Sequence, residues 1–482
     1  MPRSEIKYWI YGLLLADLLS FLTYYEPVLS PLVFILAVTI FLLVCYRHLE
    51  LAILIVLAEL FVGSKGYLFS LNLGSFSISI RLAFFIILLS FSLWYLMKQG
   101  REALWLFVKW SWPVLIFGLI VILAFLHGLM RGYGFAQVFF DANAYFFIGL
   151  LLPLFIATSR QGFMERVVSL LIYSAAYLSV KTLLLLYFFT HRFEFFLFDL
   201  YQWVRDTNVG EITWTTTGAW RVFIQSQINI VVAWWVVMTR VIKDNARQLP
   251  SQTALLGLFG AALLISFSRS FWLGLVISVL IAGLWKLYRK KWRESIYLAL
   301  IGIASTILGF AIVIAVLKIP FPETSSTGTI DLSKRFEIMV EEAASSRWNL
   351  LPPLWRAIQG NSLVGMGFGT PVTYVSNDPR VRSANPSGLY TTTAFEWGYL
   401  DIWLKIGLVG LLIYSLVVIK IFIEANRNKE HLSPALPGLI LGLVAVLGVN
   451  IGSPYLNHPL GLGLVILLYA YVVKQQSAKI SS

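Results

Sequence analysis

Charged residues are scarce in this sequence of 482 amino acids: they make up 13% of it, against about 25% in an ordinary soluble domain. Hydrophobic residues make up 59%, and the mean hydropathy is +0.79. This composition excludes a soluble globular protein. Apolar runs long enough to cross a bilayer recur from one end of the sequence to the other, which predicts an all-α polytopic membrane protein.

Cysteine and histidine are also rare. A single cysteine, Cys45, excludes a disulfide framework and a cysteine-based metal site. Five histidines leave little room for a zinc centre. Asp199 and Asp206 are candidate metal ligands, but no closely spaced acidic pair faces the same side, so we expect no obligate metal. We also expect no nucleotide cofactor, because the glycines of 365–369 follow no predicted strand.

The apolar runs predict about 14 transmembrane helices, within a range of 12–14, packed as one bundle. The third, ninth and last runs are the shortest. The predicted spans lie near residues 8–24, 28–46, 49–64, 82–98, 111–130, 143–159, 167–189, 222–242, 253–268, 271–287, 296–318, 399–423, 434–452 and 459–473.

The distribution of positive charge predicts the orientation of the bundle. With the N-terminus inside, inner connections carry 21 of the 37 Lys and Arg residues, and short outer connections carry eight. The positive-inside rule therefore predicts that both termini are cytoplasmic. Tyr24 to Pro27 follow the first run in place of small residues, so we expect a retained span. The net charge of +13 indicates contact with anionic lipid or an anionic substrate.

Two long outer segments divide the predicted chain. An N-terminal bundle covers 1–318, a large extracytoplasmic loop covers 319–398, and C-terminal transmembrane helices cover 399–482. The loop has a polar Thr/Ser stretch from Glu323 to Thr329 and helical character from Arg335 to Gly360. The aromatic segment 190–221 predicts an interfacial helix on the outer leaflet.

Two outer arginines have no role in setting the topology. Arg221 begins a predicted span, and Arg269 lies in a very tight turn between two spans. A guanidinium at membrane depth is costly unless it is paired, and its planar fork suits phosphate oxygens. The pair predicts a clamp for a lipid-linked phosphate or pyrophosphate. The alternative is headgroup snorkelling or an ion pair with a nearby acid.

Several acidic residues lie in or near predicted spans. Glu396 lies where the long loop returns to the membrane, and is either a general base or a carboxylate stabilised by a helix N-terminus. Asp401 and Lys405 are four residues apart on the next helix, which predicts a structural ion pair. For Asp17, Glu59, Asp141 and Lys181, chemistry and buried pairing between helices are both open.

Three local motifs resemble those of the O-antigen ligase and O-antigen polymerase superfamily of membrane glycosyltransferases. The first motif, Phe267–Gly274, resembles a Ser-Arg-Ser turn followed by Trp and Gly. The second, Ser346–Trp348 with Leu354–Ile358 and Ser362–Gly367, resembles a loop helix closed by Gly-x-Gly. The third, Glu396–Leu400 with Gly407–Gly410, resembles the helix after the loop. The resemblance covers roughly residues 215–415.

The resemblance implies a membrane-embedded C-type glycosyltransferase fold in the bacterial inner membrane. The implied reaction is inverting and metal-independent, occurs on the extracytoplasmic face, and uses a polyprenyl-pyrophosphate-linked glycan as donor. Arg221 and Arg269 would then hold the pyrophosphate, and Glu396 would orient or deprotonate the acceptor hydroxyl. Many family members have His-Asn where this sequence has Glu396-Trp397. The further candidate substrate-binding residues are Arg347, Arg356, Gln225 and Tyr399.

Alternative functions stay open at this level. Within the superfamily, we predict polymerisation of a lipid-linked oligosaccharide, and the alternative is a ligase that transfers the glycan to a lipid or protein. Outside it, the main alternative is a transporter of a small anion, such as bicarbonate, or of a lipid-linked sugar. A transporter typically has repeated halves and broken helices, and neither is clear in the sequence. A scaffold subunit would need no paired outer arginines.

Overall fold

A computed structural model of the chain describes residues 3–74, 76–191, 193–215, 218–243, 249–322, 347–428 and 432–481. The described chain is mainly helical. In chain order the helices are α1 (Arg3–Tyr25), α2 (Leu29–Arg47), α3 (Leu49–Val62), α4 (Ile80–Lys98), α5 (Arg101–Met130), α6 (Phe135–Ala142), α7 (Leu151–Ala157), α8 (Phe163–Thr190), α9 (Glu194–Asp206), α10 (Ile228–Lys243), α11 (Leu249–Ser266), α12 (Arg269–Tyr288), α13 (Trp292–Leu317), α14 (347–360), α15 (Pro379–Ala384), α16 (Gly398–Arg427), α17 (Leu436–Val449) and α18 (Pro459–Ser481).

Three antiparallel hairpins, which the sequence did not predict, connect these helices. The strands are β1 (Ser70–Leu73) with β2 (Phe76–Ser79), β3 (Gly210–Trp214) with β4 (Trp220–Ile224), and β5 (Val372–Val375) with β6 (Leu389–Thr392). In the second hairpin, Thr213 lies opposite Arg221. This pairing corrects the predicted span 222–242: its first residues form a strand, and the helix begins at Ile228.

The helices are consistent with the predicted polytopic membrane protein, but the predicted count of about 14 spans is not confirmed. Nine helices within the described ranges are long and apolar enough to cross a bilayer, and three shorter apolar helices accompany them. α13 shows why a bilayer is needed. Its buried side chains are Leu298, Ser305 and Gly309, which lie on one stripe, so the rest of an almost wholly apolar surface faces outward.

The centre of the bundle is formed by α10, which is buried nearly all round. Trp235 on this helix is fully buried. Its indole N–H donates to Ser278 Oγ at 2.8 Å, and the indole of Trp234 donates to Ser305 Oγ at 3.1 Å. Because each buried donor has a partner on a neighbouring helix, these bonds fix α10 relative to α12 and α13 at little desolvation cost.

The long helix α16 is broken at Gly407, where φ is +72°. The break admits the segment 363–369, which follows α14. Backbone amides of Met366 and Gly367 donate to the carbonyls of Leu404 and Lys405 at 2.6 and 3.1 Å. The amide of Phe368 donates to a carbonyl of α5 at 3.3 Å. The loop is therefore fixed between α5 and α16 by main-chain hydrogen bonds.

Two predictions about the outer segments are settled only in part. The segment 190–221 does contain a helix, α9, and its Phe195 and Phe198 are exposed, as an interfacial helix requires. The remainder of this segment forms the β3–β4 hairpin. The helix predicted from Arg335 to Gly360 is described from 347 to 360. The predicted Glu323 to Thr329 stretch, Arg335 and Ser346 lie outside the described residues.

Candidate functional site

Four parts of the chain meet at one end of the bundle, which we call the site end. They are the β3–β4 hairpin, the two-residue turn between α11 and α12, the start of α14, and the start of α16. The segment 450–458, between α17 and α18, also reaches the site end. Ser453 Oγ in this segment donates to Ser270 Oγ, at the start of α12, at 3.0 Å. Each part contributes one of the residues singled out in the sequence.

Arg221 is positioned by the hairpin. Its Nε donates to the carbonyl of Ser266, the last residue of α11, at 3.0 Å, and a second nitrogen lies 3.8 Å from Glu211. The guanidinium also lies over the Phe223 ring, 4.9 Å from its centroid. Burial lowers the pKa of Arg221 from its ordinary value, and the charge of Arg269 acts in the same direction. Arginine nevertheless remains protonated at any physiological pH.

Arg269 begins α12 directly after the tight turn. The turn forces Phe267 to a φ of +47°, a conformation that is costly for a bulky side chain. Serine side chains stabilise the turn: the amide of Ser268 donates to Ser266 Oγ at 3.2 Å, and Ser268 Oγ lies 3.0 Å from Ser270 Oγ. The first residue of α12 is thereby fixed at the site end, half-buried beside Arg221.

Arg347 and Glu396 form an ion pair between the start of α14 and the residue two before α16. Main-chain and aromatic contacts hold the pair in place. The indole of Trp397 donates to the carbonyl of Arg347 at 3.1 Å, and the Trp348 and Trp397 rings lie 5.5 Å apart. The Glu396 side chain is 52% exposed, so it can reach a bound ligand.

Arg221, Arg269 and Arg347 lie close enough together for their positive charges to act on one another. Burial lowers the pKa of Arg347, and the positive charges of Arg269 and Arg221 lower it further. These arginines come from three different elements, and nothing in the helix pattern requires them to meet. Like charges held close together repel, so a further anion would stabilise this group even though Glu211 and Glu396 already offset part of its charge.

Gln225, another of the candidate residues, borders this group together with Tyr455. The carbonyl of Gln225 accepts a hydrogen bond from the Tyr455 hydroxyl at 3.0 Å, and Tyr455 itself lies near the charge of Arg221. Burial raises the pKa of Tyr455. Its hydroxyl therefore stays protonated and acts as a donor. Tyr455 was not among the residues selected from the sequence, because a lone tyrosine between two helices gives no signal of what it will contact.

Tyr399 and Arg356 are less closely associated with the group. The Tyr399 hydroxyl donates to the carbonyl of Leu447 at 2.7 Å, which links α16 to α17. Arg356 is exposed and lies nine residues after Arg347 on α14. Nine residues rotate a helix by roughly 900°, which places it on the opposite face. A substrate-binding role for either residue stays a prediction.

A cavity of about 480 Å³ is lined by residues that lie next to Glu396 and Tyr455 in the chain. Its wall includes Ala394 and Phe395, which precede Glu396, and Pro454, which precedes Tyr455. The lining combines aromatic rings, amides and charged groups: Lys65, Tyr67, Arg81, Phe139, Phe140, Asp141, Asn143, Asn208, Asp401, Lys405, Asn457 and His458 are among them. Aromatic faces and amide groups side by side suit a sugar ring and its hydroxyls.

Buried ion pairs form the floor of this cavity. Lys405 Nζ lies 2.6 Å from Asp401 and 2.5 Å from Asp141, and Asn457 donates to Asp401. The predicted Asp401–Lys405 pair is therefore confirmed, but no local pattern in the sequence indicated that Asp141 on α6 would be its third member. Asp141 also accepts from the amide of Gly369 at 2.8 Å, so the network fixes the loop segment against α6.

The remaining acids near spans form buried pairs. Arg81 Nε donates to Glu59 at 2.7 Å, and Lys181 Nζ donates to Asp17 at 2.7 Å. Both pairs join different helices, and their side chains are largely buried. This geometry favours the structural alternative over the chemical one for Asp17, Glu59 and Lys181.

Residues 254–415 match the O-antigen ligase family. The match covers 162 of the 482 residues. The matched segment runs from α11 into α16 and includes Arg269, Arg347 and Glu396. The resemblance found in the sequence is thereby confirmed. No curated protein matches the chain.

This similarity supports, at a coarse level, an enzyme of the glycosyltransferase-like ligase and polymerase type. The β3–β4 hairpin with Arg221 and the first ten helices lie before the matched segment.

Proposed function

We propose that the protein is a glycosyltransferase that polymerises a polyprenyl-pyrophosphate-linked oligosaccharide on the extracytoplasmic face of the bacterial inner membrane. The observation that carries this proposal is the grouping of Arg221, Arg269 and Arg347, close enough for their charges to interact, beside the exposed carboxylate of Glu396. A dianionic pyrophosphate suits this group because the planar guanidinium forks match its oxygens.

In the proposed reaction the arginines act on the leaving group. The acceptor hydroxyl oxygen attacks the anomeric carbon, and the bond between that carbon and the pyrophosphate oxygen breaks. The electron pair leaves with the pyrophosphate. Donors already positioned around that oxygen stabilise the growing charge without reorganising, which is the largest single contribution in many enzymes. No metal is required for this step, since the arginines supply the positive charge.

Glu396 acts on the acceptor. Its carboxylate accepts the proton of the attacking hydroxyl, and attack from the face opposite the pyrophosphate inverts the anomeric centre. The adjoining cavity, which begins at Phe395, receives the acceptor sugar. Arg347 contacts Glu396 before the donor binds, so a bound pyrophosphate competes for this arginine and releases the carboxylate for proton transfer.

The test uses purified protein, lipid-linked oligosaccharide and a chelator. We expect lipid-linked chains longer than the starting unit. Transfer of the glycan to a separate lipid or protein acceptor would instead favour the ligase, the second member of the same reaction class. No glycan transfer to either kind of acceptor by a folded preparation would contradict the proposal.

A transporter is the second candidate, because α16 is broken at Gly407 and transporters bind substrates at broken helices. The break has a structural reason here, since it receives the loop segment 363–369 by main-chain hydrogen bonds. Glycan transfer in detergent micelles, where no second compartment exists, separates the two. Uptake into vesicles without any transfer would favour the transporter.

A further inference from the structure

A second cavity, which we call the basic cavity, lies at the end of the bundle opposite the site end. Its volume is about 480 Å³. Its lining consists of Cys45, Tyr46, Arg47, His48, Leu49, Glu50, Leu51, Phe91, Trp94, Tyr95, Arg160 and Arg166. None of these residues belongs to the arginine site, so the basic cavity requires an explanation of its own.

The location of the basic cavity follows from the directions of the helices. It forms where α2 ends, α3 begins and the turn from α7 enters α8. The other end of α3 leads to Ser64, whose hydroxyl lies 2.9 Å from that of Ser226 beside Gln225, at the site end. The positive-inside rule predicts that the end with the basic cavity faces the cytoplasm.

Positive charge in the basic cavity exceeds negative charge. Three arginines line it, and Glu50 is its one carboxylate among the described lining residues. One nitrogen of Arg160 and one of Arg166 each donate a hydrogen bond to the Glu50 carboxylate, at 3.1 and 2.6 Å. The side chains of Arg160 and Arg166 are 46% and 36% exposed, whereas that of Glu50 is 18% exposed. The carboxylate therefore lies beneath the guanidinium groups and leaves their outer edges accessible.

The arginines retain hydrogen-bond donors that Glu50 does not use. A guanidinium carries five N–H donors. In the part of the chain that the structure describes, the buried Nε of Arg166 has no hydrogen-bond partner. A buried donor without a partner costs free energy, so it favours binding of an acceptor that can reach it. Arg47 adds a third positive charge at the end of α2.

Aromatic side chains form one wall of the basic cavity. Trp94 and Tyr95 are on the last turns of α4, and Lys98 Nζ lies 3.8 Å from the centroid of the Trp94 ring. Tryptophan and tyrosine at helix ends are typical of the membrane interface, at the depth of the lipid headgroups. The exposed apolar side chains of Leu42 and Leu43 lie on α2 within two turns of the cavity, where acyl chains would pass.

We propose that the basic cavity binds a phosphate-bearing anion, through Arg47, Arg160 and Arg166. A phosphate group suits these residues because it offers several oxygens to the guanidinium forks that line one cavity. The phosphate has two sources at this end of the bundle: the headgroup of an anionic phospholipid, or a soluble phosphate. This site does not depend on the proposed glycosyl transfer, since it shares no residue with the arginine site.

The experiment measures which lipids the full-length protein retains. Delipidated protein in neutral detergent is offered equal amounts of phosphatidylglycerol and phosphatidylcholine, and bound lipid is counted by native mass spectrometry. We expect the wild type to prefer phosphatidylglycerol. The double variant Arg160→Gln, Arg166→Gln should retain about tenfold less of it, because basic residues at a membrane surface each contribute measurably to anionic lipid binding.

The matched control is Arg289→Gln, Arg293→Gln. Arg289 directly follows α12 and Arg293 is in the first turn of α13, at the same end of the bundle as the basic cavity. Their guanidinium groups lie 5.0 and 5.5 Å, respectively, from the centroid of a tryptophan ring. They do not line the basic cavity, so phosphatidylglycerol retention should match the wild type. Thermal unfolding of each variant in the same detergent reports whether the fold is intact.

Two further arms separate the outcomes. If inorganic phosphate or glycerol 3-phosphate quenches tryptophan fluorescence in the wild type but not in the Arg160/Arg166 variant, the source is soluble. The variant Glu50→Gln removes the carboxylate that competes for Arg160 and Arg166, so it should raise phosphatidylglycerol retention. This second variant tests the proposal even if the double arginine variant unfolds. Equal retention of both lipids by the wild type, with no phosphate response, would overturn the proposal. Unchanged or lower retention by a folded Glu50→Gln variant would do the same.

Discussion

Arg347 and Glu396, which are separated by 49 positions in the chain, meet as an ion pair between the start of α14 and the approach to α16. In the proposed reaction this pair joins the two chemical roles that glycosyl transfer needs. The charge of Arg347 interacts with Arg221 and Arg269, the group proposed to hold the pyrophosphate, and Glu396 is the exposed carboxylate proposed to act on the acceptor hydroxyl. The proposal therefore couples donor binding to release of the base through the Arg347 guanidinium.

Replacement of Glu396 by Gln should lower the turnover number about a hundredfold or more, because loss of a general base typically costs 10²–10⁴ in rate. Glutamine keeps the size and a hydrogen bond to Arg347 but takes no proton. The acidic limb of the rate–pH profile should disappear in this variant. A glycosyl-transfer assay across pH checks both effects, and an unchanged profile would remove Glu396 from the mechanism.

Replacement of Arg221 or Arg269 by Gln should each reduce turnover by a factor of about 10²–10³, since one donor to a developing anion contributes roughly 3 kcal/mol in the transition state. The matched control is Arg101→Gln, an exposed arginine that begins α5 at the opposite end of the bundle. It should keep wild-type activity. Full turnover in both site variants would show that these arginines do not hold the leaving group.

Arg347→Gln and Arg356→Gln test the two faces of α14. Arg347 faces Glu396 and the other arginines, so its loss should reduce kcat/KM at least tenfold, with the larger effect on kcat. Arg356 lies on the opposite face, and its loss should change kcat/KM less than threefold. Steady-state kinetics with lipid-linked donor measures both. If Arg356→Gln has the larger effect, α14 presents its other face to the substrate.

The sequence singled out residues of the candidate site, but it did not predict how they would be arranged. Arg221 and Arg269 were selected because charge at membrane depth is costly, which is a local property. Glu396 was selected for its place at the end of the long loop, and Arg347 from the family resemblance. The hairpin that carries Arg221 was missed, since β3 and β4 are short, and an apolar run that continues into α10 has the composition of a span. The contact of Lys405 with Asp141 joins positions 264 apart, and no local pattern reports such a distance.

Removal of the Lys405 charge should destabilise the protein strongly. In Lys405→Met, Asp141 and Asp401 lose their shared cation while both remain buried, and breaking a buried pair from one side costs about 3–5 kcal/mol. Thermal unfolding in detergent should show a clear fall in Tm. Lys420→Met on the same helix removes a half-buried lysine near aromatic rings and should have a smaller effect. Equal falls in Tm for the two variants would show that the Lys405–Asp141–Asp401 network stabilises the fold no more than the contacts of Lys420 do.

Replacement of Gly407 by Ala tests whether loop docking positions the catalytic residues. Gly407 has a φ of +72°, and an added Cβ would overlap the carbonyl of Leu363. Alanine therefore has to displace the segment 363–369 from the break in α16. That segment follows α14 directly, so its displacement should also shift Arg347 relative to Glu396.

The expected result for Gly407→Ala is a loss of turnover of at least tenfold together with a lower Tm. Gly360→Ala is the matched control, because Gly360 ends α14 in the same loop, and a Cβ there would meet no atom within 4 Å. It should keep both activity and Tm. If Gly407→Ala lost stability but kept full turnover, the docked loop would be a structural support that does not position Arg347, and the coupling between donor and base would need another route.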